Sequence, residues 1–199
     1  MQLSDQFQDR TVTLTRPAQY CNAVDKNGEG INNPAAHLAC YRVREAIRIR
    51  PEVITTDQFG QQNLTVLKQR TQLCVPTTEA SQAMSVSAAP APSSDHFEMY
   101  KVKTTTGTPK FERLQVSVED QWVDETVELK KPVRLGVPTD KNSEGILDVD
   151  SHLTCYSLNA QKFDKRDVDI QNQFGQFSLT VKRPEMLCVP SNKQVVSGG

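Results

Sequence analysis

The feature that most constrains this chain is an internal repeat. The first half matches the second at an offset of 115 residues. Asp5-Gln6-Phe7 matches Asp120-Gln121-Trp122, and Asp25-Lys26-Asn27 matches Asp140-Lys141-Asn142. His37-Leu38-Ala39-Cys40-Tyr41 matches His152-Leu153-Thr154-Cys155-Tyr156, and Asp57-Gln58-Phe59-Gly60 matches Asn172-Gln173-Phe174-Gly175. Leu73-Cys74-Val75-Pro76 meets Leu187-Cys188-Val189-Pro190 at an offset of 114, which one single-residue indel explains. Self-similarity of this kind means that each element must be read as a copy of its counterparts.

A shorter unit recurs inside each half: His-apolar-x-Cys-Tyr-x-apolar, then Asp/Asn-Gln-aromatic, an alternating segment, and Leu-Cys-Val-Pro. Unit two runs from His37 to about Pro76, unit three from His96 to about Pro138 and unit four from His152 to about Pro190. Unit one starts at Asp5-Gln6-Phe7, ends at Tyr20-Cys21, and lacks the leading His-x-x-Cys-Tyr segment. The chain therefore holds three and a half units.

Polar and apolar residues alternate in Thr11-Val12-Thr13-Leu14, Asn63-Leu64-Thr65-Val66, Thr126-Val127-Glu128-Leu129 and Ser178-Leu179-Thr180-Val181. Period two with β-branched residues reads as a half-buried strand in the same slot of every unit. The Cys-Tyr segments and the residues before each Gln-aromatic pair supply further strands, and no long 3.6-residue stripe competes with them. The expected fold is all-β, as two tandem sandwich- or barrel-like domains of two units each, the first lacking its leading strand. The Ala/Ser/Thr/Pro-rich stretch 77–95 reads as a linker between domains 1–76 and 96–193, with 194–199 as a tail.

With 23 basic and 24 acidic residues the formal charge is −1, so a nucleic-acid partner held by phosphate neutralisation is not expected. No apolar run approaches roughly 18 residues, so no membrane span is expected. The first ten residues lack the apolar stretch of a signal peptide, as in a mature form, a fragment or a chain exported by another route.

The five cysteines occupy repeat positions, and unit three replaces both of its own by Met99 and Gly136. Joint loss is what paired residues would show, which predicts disulfides Cys40–Cys74 and Cys155–Cys188. Cys21 is then an unpaired thiol open to intermolecular bonding, because its partner belonged to the absent segment. Disulfides imply an oxidising compartment: extracellular, cell-surface or periplasmic. The alternative is five buried reduced thiols.

Leu-Cys-Val-Pro, Asp-Lys-Asn-x-Glu-Gly-Ile, His-Leu-x-Cys-Tyr and Asp/Asn-Gln-Phe-Gly, in this order, resemble an uncharacterised family of secreted bacterial and archaeal repeat domains. The resemblance covers the second half from His96 to Lys193, and the first half except its leading strand. It implies an exported β-rich domain and brings no catalytic residues.

Asp25, Asn27 and Glu29 in the first half, and Asp140, Asn142 and Glu144 in the second, alternate as in the opening of a calcium loop, with Asp148 and Asp150 as further oxygens. The closing glutamate is absent, since Ala36 and Ser151 stand there, and a polar turn with Asn and Gly at positive φ is the competing reading. His37, His96 and His152 open their units, and repetition at three equivalent places suits a structural role better than catalysis. The aromatics of Gln58-Phe59, Gln121-Trp122 and Gln173-Phe174 are expected in the core rather than on a ligand. Lys130-Lys131 and Lys182-Arg183 read as solvated strand ends.

The expected function is therefore a non-catalytic exported structural or interaction protein, no enzyme, needing no cofactor unless calcium. Its expected partners are copies of itself or another surface protein. Strand addition to the incomplete first unit would build a filament or surface assembly. Donor candidates are Met84-Ser85-Val86 and Gln194-Val195-Val196. The alternative is an extracellular carbohydrate- or calcium-binding module.

Overall fold

Units two and four each contribute a leading strand, two hairpin strands and a Leu-Cys-Val-Pro strand; unit one lacks the leading strand, unit three merges its last two into one, and a short Asp-Lys strand follows in both. In the computed structural model, which describes residues 1–79, 94–160 and 162–197, unit one holds β1 (Gln2–Ser4), β2 (Asp9–Thr11), β3 (Leu14–Cys21) and β4 (Asp25–Lys26). Unit two holds β5 (His37–Ala46), β6 (Glu52–Asp57), β7 (Gly60–Val66) and β8 (Arg70–Glu79). Unit three holds β9 (Phe97–Thr104), β10 (Leu114–Glu119), β11 (Asp124–Pro138) and β12 (Asp140–Lys141). Unit four holds β13 (His152–Asn159), β14 (Arg166–Asn172), β15 (Gly175–Val181) and β16 (Met186–Ser197). No helix occurs among the described residues, and the fold is all-β.

The Cys-Tyr strands and the Leu-Cys-Val-Pro strands alternate in one antiparallel sheet ordered β3-β5-β8-β9-β11-β13-β16. Period two gives that sheet two faces. One face carries Leu38, Cys40, Cys74, Phe97, Met99, Cys155 and Cys188, and Cys21 of the first strand packs into the same cluster. The sheet therefore curls until both of its ends share one apolar interior. Cys40 stands opposite Cys74 and Cys155 opposite Cys188 in the register, and both pairs are disulfide-bonded.

The other face carries the tyrosines and is covered by the hairpins, whose tips are the Asp/Asn-Gln-aromatic motifs. In all four, the Asp or Asn side chain accepts the aromatic residue's N–H: Phe7 at 2.7 Å, Phe59 at 2.8 Å, Trp122 at 2.6 Å and Phe174 at 3.0 Å. Three tips then reach a tyrosine two units away. The Tyr100 hydroxyl donates to Asp5 at 2.6 Å and the Tyr156 hydroxyl to Asp57 at 2.7 Å, while Asn172 donates to the Tyr41 hydroxyl at 2.9 Å. The paired rings are edge-on, with centroids 5.0–5.4 Å apart. Each contact joins a buried hydroxyl to a partner and a ring to a ring, so one repeated tripeptide fixes the angle of three of the four hairpins. The Gln-aromatic residues pack against cores, as expected.

These exchanges correct the expected division into two domains. Strand pairs β1–β12, β4–β10, β6–β16, β7–β9, β8–β9 and β8–β14 all cross from 1–79 to 94–197. The path β7-β9-β11-β13-β16-β6 returns to β7 and closes a six-stranded barrel from units two, three and four. The tail residues Gln194 and Val195 pair with Ile54 and Val53 inside this ring, so they do not form a free donor strand. Met84-Ser85-Val86 lies outside the described residues.

Candidate docking seam

In units three and four the leading strand has neighbours on both sides. Strand β9 lies between β11 on one side and β8 and β7 on the other. Transposed to unit one, a leading strand would lie between β3 and β16 and would also meet β15. Among the described residues, β3 pairs only with β5, residues 186–191 of β16 pair only with β13, and β15 pairs only with β14. Three unpaired edges therefore border one strand position.

The side chains around this position are uncovered relative to their copies. Cys40, Cys74 and Cys155 are at most 2% exposed, whereas Cys21, Cys188 and Met186 are partly exposed. Leu64 and Val66 of β7 are fully buried, but the matching Leu179 and Val181 of β15 are only half-buried. One side-chain hydrogen bond spans the seam, from Gln19 to Glu185 at 3.3 Å.

Cys21 holds the slot that Cys74 and Cys188 hold in the other units, where the partner is the cysteine of the leading strand. It is the free cysteine of the chain. Burial pushes its thiol up to about 11, which keeps it protonated and slow to oxidise at neutral pH. Two enlarged side chains meet nearby. Tyr20 stands where the other units have Leu73, Leu135 and Leu187, and Trp122 where they have phenylalanine. Their rings lie 5.7 Å apart, at the place where the absent strand's tyrosine would meet the third hairpin. The Tyr20 hydroxyl is buried without a hydrogen-bond partner.

Unit three shows how the repeat copes with a lost cysteine pair. Met99 and Gly136 are register partners, and a Cβ on Gly136 would stand 2.9 Å from the Met99 sulfur. The thioether thus fills the space of the missing disulfide, which only glycine opposite it permits.

The remaining candidates fall elsewhere. The two loops suspected of binding calcium are strand-joining turns. Asn27 and Asn142 take positive φ (56° and 53°), and each accepts a backbone N–H of a neighbouring strand, from Ser117 at 3.0 Å and Gln2 at 2.9 Å. Glu29 is paired with Lys26 and Glu144 with Lys141. Asp140 accepts the Gly145 N–H at 3.1 Å and Asp148 the Asp150 N–H at 2.9 Å. Most of these oxygens are engaged within the turns, although Asp25 Oδ1 is buried without a hydrogen-bond partner, and no group of three or more His, Cys, Asp or Glu side chains suited to a metal occurs among the described residues. The geometry thus does not gather Asp25, Asn27, Glu29, Asp140, Asn142, Glu144, Asp148 and Asp150 into a calcium site.

His152 and His96 each lie against a hairpin glutamine, Gln6 at 2.6 Å and Gln173 at 3.0 Å, and His37 stacks on Tyr20 at 5.5 Å. Burial lowers the pKa of all three imidazoles. Sequence reading missed the ion pair of Arg10 with the fully buried Glu98, which Thr71 also contacts at 2.6 Å. A charged residue in an otherwise apolar alternating strand was the available signal.

No curated protein and no solved structure matches the chain. A family model described as a repeat of unknown function matches residues 66–190, running from the end of β7 through the second disulfide, and on that match the chain belongs to the DUF7450 repeat family.

Proposed function

We propose that this chain is a non-catalytic assembly protein of an oxidising, extracytoplasmic compartment, completed by a β-strand that another protein chain lays between β3 and β16. The three unpaired edges around one strand position carry the reading. Backbone hydrogen bonds along β3, β16 and β15 supply affinity, and alternate side chains supply specificity. The repeat rule states the donor's chemistry. It has apolar residues at alternate positions to cover Cys21, Met186 and Cys188, a cysteine facing Cys21, and a tyrosine or other hydrogen-bonding aromatic for Tyr20 and Trp122. The tail residues Gln194 and Val195 are already paired with Ile54 and Val53, which removes them as the donor and favours a strand from another chain. Two disulfides support the compartment.

The test is a synthetic peptide of residues 37–46, the leading strand of unit two, carrying its cysteine as an activated mixed disulfide. The Cys21 sulfur attacks that disulfide, forms the new S–S bond and releases the leaving thiol. Intact-mass analysis should show one added peptide at Cys21, with a raised melting temperature. A Cys→Ser peptide should bind reversibly, and a scrambled peptide should do neither. Equal labelling by the scrambled peptide, or no thermal shift with the native order, would refute strand completion.

A further inference from the structure

A cavity of about 1160 Å³ opens beside the lower end of the sheet, between the ends of β9 and β13, the bulged middle of β11 and residues 183–186. Of its 21 lining residues eight are Lys or Arg and one, Glu185, is acidic. This concentration occurs in a chain whose formal charge is −1. The fold produces it by bringing together runs that lie far apart in sequence: Lys101 and Lys103 from β9, Lys130 and Lys131 from β11. The bulged residues of β11, Lys130 and Val133, break the ladder with β13, and both line the cavity.

Among the described residues, Lys101, Lys103, Lys130, Lys131 and Arg134 have no ion-pair partner within 4 Å. Arg134 is the most enclosed of them. Its Nη1 atom is buried and makes no hydrogen bond. Like charges converging on one concave wall repel each other and focus a positive field into it, a cost that an anion offsets. The space exceeds that of a single phosphate or sulfate several-fold, and its walls include the Phe111 ring, Pro132, Leu158 and Pro184. The complementary ligand therefore combines several negative charges with the flat, partly apolar faces of rings.

We infer that this cavity is a binding site for an acidic oligosaccharide, with its carboxylates or sulfates on the lysines and Arg134 and a sugar face on Phe111. The cavity adjoins the seam, since Gln19, Glu185 and Met186 line it, but its lysines come from β9, β11 and the loop between β9 and β10, away from the unpaired edges. Lysines on mobile stems act as point charges, so they accept either anionic group without a fixed fork.

Calorimetry on the full chain tests this with five probes at low and moderate salt: a galacturonate tetrasaccharide, a heparin-derived tetrasaccharide, a neutral glucose tetrasaccharide, inorganic sulfate and a single-stranded oligonucleotide. The first two probes separate carboxylate from sulfate as the preferred group. At least one acidic tetrasaccharide should bind more than about tenfold more tightly than the neutral sugar or free sulfate. That affinity should weaken as salt rises. Lys101→Gln with Lys131→Gln, both at exposed positions, should weaken it further about tenfold without lowering the melting temperature of the free protein. Phe111→Leu should weaken the sugar more than it weakens sulfate. Equal affinity for neutral and acidic sugars, no effect of the lysine substitutions, tighter binding of a single-stranded oligonucleotide, or no binding would overturn the assignment.

Discussion

Strands β7 and β15 carry the same motif in the same slot of units two and four, yet they end in different surroundings. Asn63-Leu64-Thr65-Val66 lies between β6 and β9 and is almost wholly buried. Ser178-Leu179-Thr180-Val181 has β14 on one side and no strand on the other among the described residues, and each apolar residue stays half-buried. Their local sequences do not explain this, since both alternate and both follow the same hairpin tip. The difference is supplied by the next unit's leading strand, which follows unit two and, among the described residues, has no counterpart after unit four. Burial here is a property of the ring of units, so one missing strand uncovers three others.

The strongest lever on this comparison is covalent. Each disulfide closes a separation of 34 or 33 residues, worth about 4 kcal/mol on the chain-entropy model. Replacing Cys40 and Cys74 by alanine should lower denaturant stability by that order. Replacing Cys155 and Cys188 should cost the same globally, but should also accelerate amide exchange along residues 186–191, whose other edge is free. Equal exchange in both variants would mean that the seam is held closed by something besides strand pairing. The reverse experiment is Met99→Cys with Gly136→Cys. These register partners should form a third bridge and recover about 3–4 kcal/mol, whereas Gly136→Ala alone should destabilise by about 1–2 kcal/mol through overpacking against Met99 and Leu153.

Truncation measures the same difference in the core. Leu64→Ala removes a fully buried side chain and should cost about 3 kcal/mol, while Leu179→Ala should cost about 1 kcal/mol or less. With the leading-strand peptide bound, the cost of Leu179→Ala should rise toward that of Leu64→Ala. A cost that stays unchanged would place the peptide away from β15.

Much of this was legible in the sequence because the repeat turned single residues into aligned columns. The joint loss at Met99 and Gly136 gave the disulfide pairing, and the truncated first unit gave the free Cys21. What the columns did not reveal was connectivity between units. Period two assigns a residue to a face without saying which hairpin covers it, and the tripeptide tips of Asp5 and Asn172 look alike although they dock on Tyr100 and Tyr41 of different units. A 77–95 stretch rich in Ala, Ser and Pro therefore read as a domain boundary, while the strands on either side of it pair with each other. The convergence of Lys101, Lys103, Lys130 and Lys131 was hidden for the same reason. Each pair alone looks like a solvated strand end.

The four hairpin tips allow the smallest and most specific comparison, because evolution of the repeat has left Asp at three of them and Asn at the fourth. Asn172 makes the same turn hydrogen bond and meets the same kind of tyrosine with no charge. Asp5 does so as a carboxyl that burial, with Glu98 nearby, pushes up to about 6. Beside it, burial pulls the Lys193 amine down to about 8, opposed by Asp5, and that amine lies 4.6 Å from the Phe7 ring centroid. The signs follow from linkage. Between pH 4 and 6 the folded chain holds a proton on Asp5 that the unfolded chain has released, so stability falls as pH rises through that window. Between pH 8 and about 10.5 the folded chain has lost the Lys193 proton that the unfolded chain keeps, so stability rises again. Hairpin one should therefore be least firmly docked near neutral pH, by about 1–2 kcal/mol relative to either side. Asp5→Asn, which copies the fourth hairpin, should abolish the fall between pH 4 and 6 and start the alkaline rise below pH 8, because the charge that opposes the Lys193 shift is gone. Denaturant midpoints measured across that range decide it: a slope unchanged in the variant would assign the proton to Asp57, whose carboxyl burial also raises, and not to hairpin one.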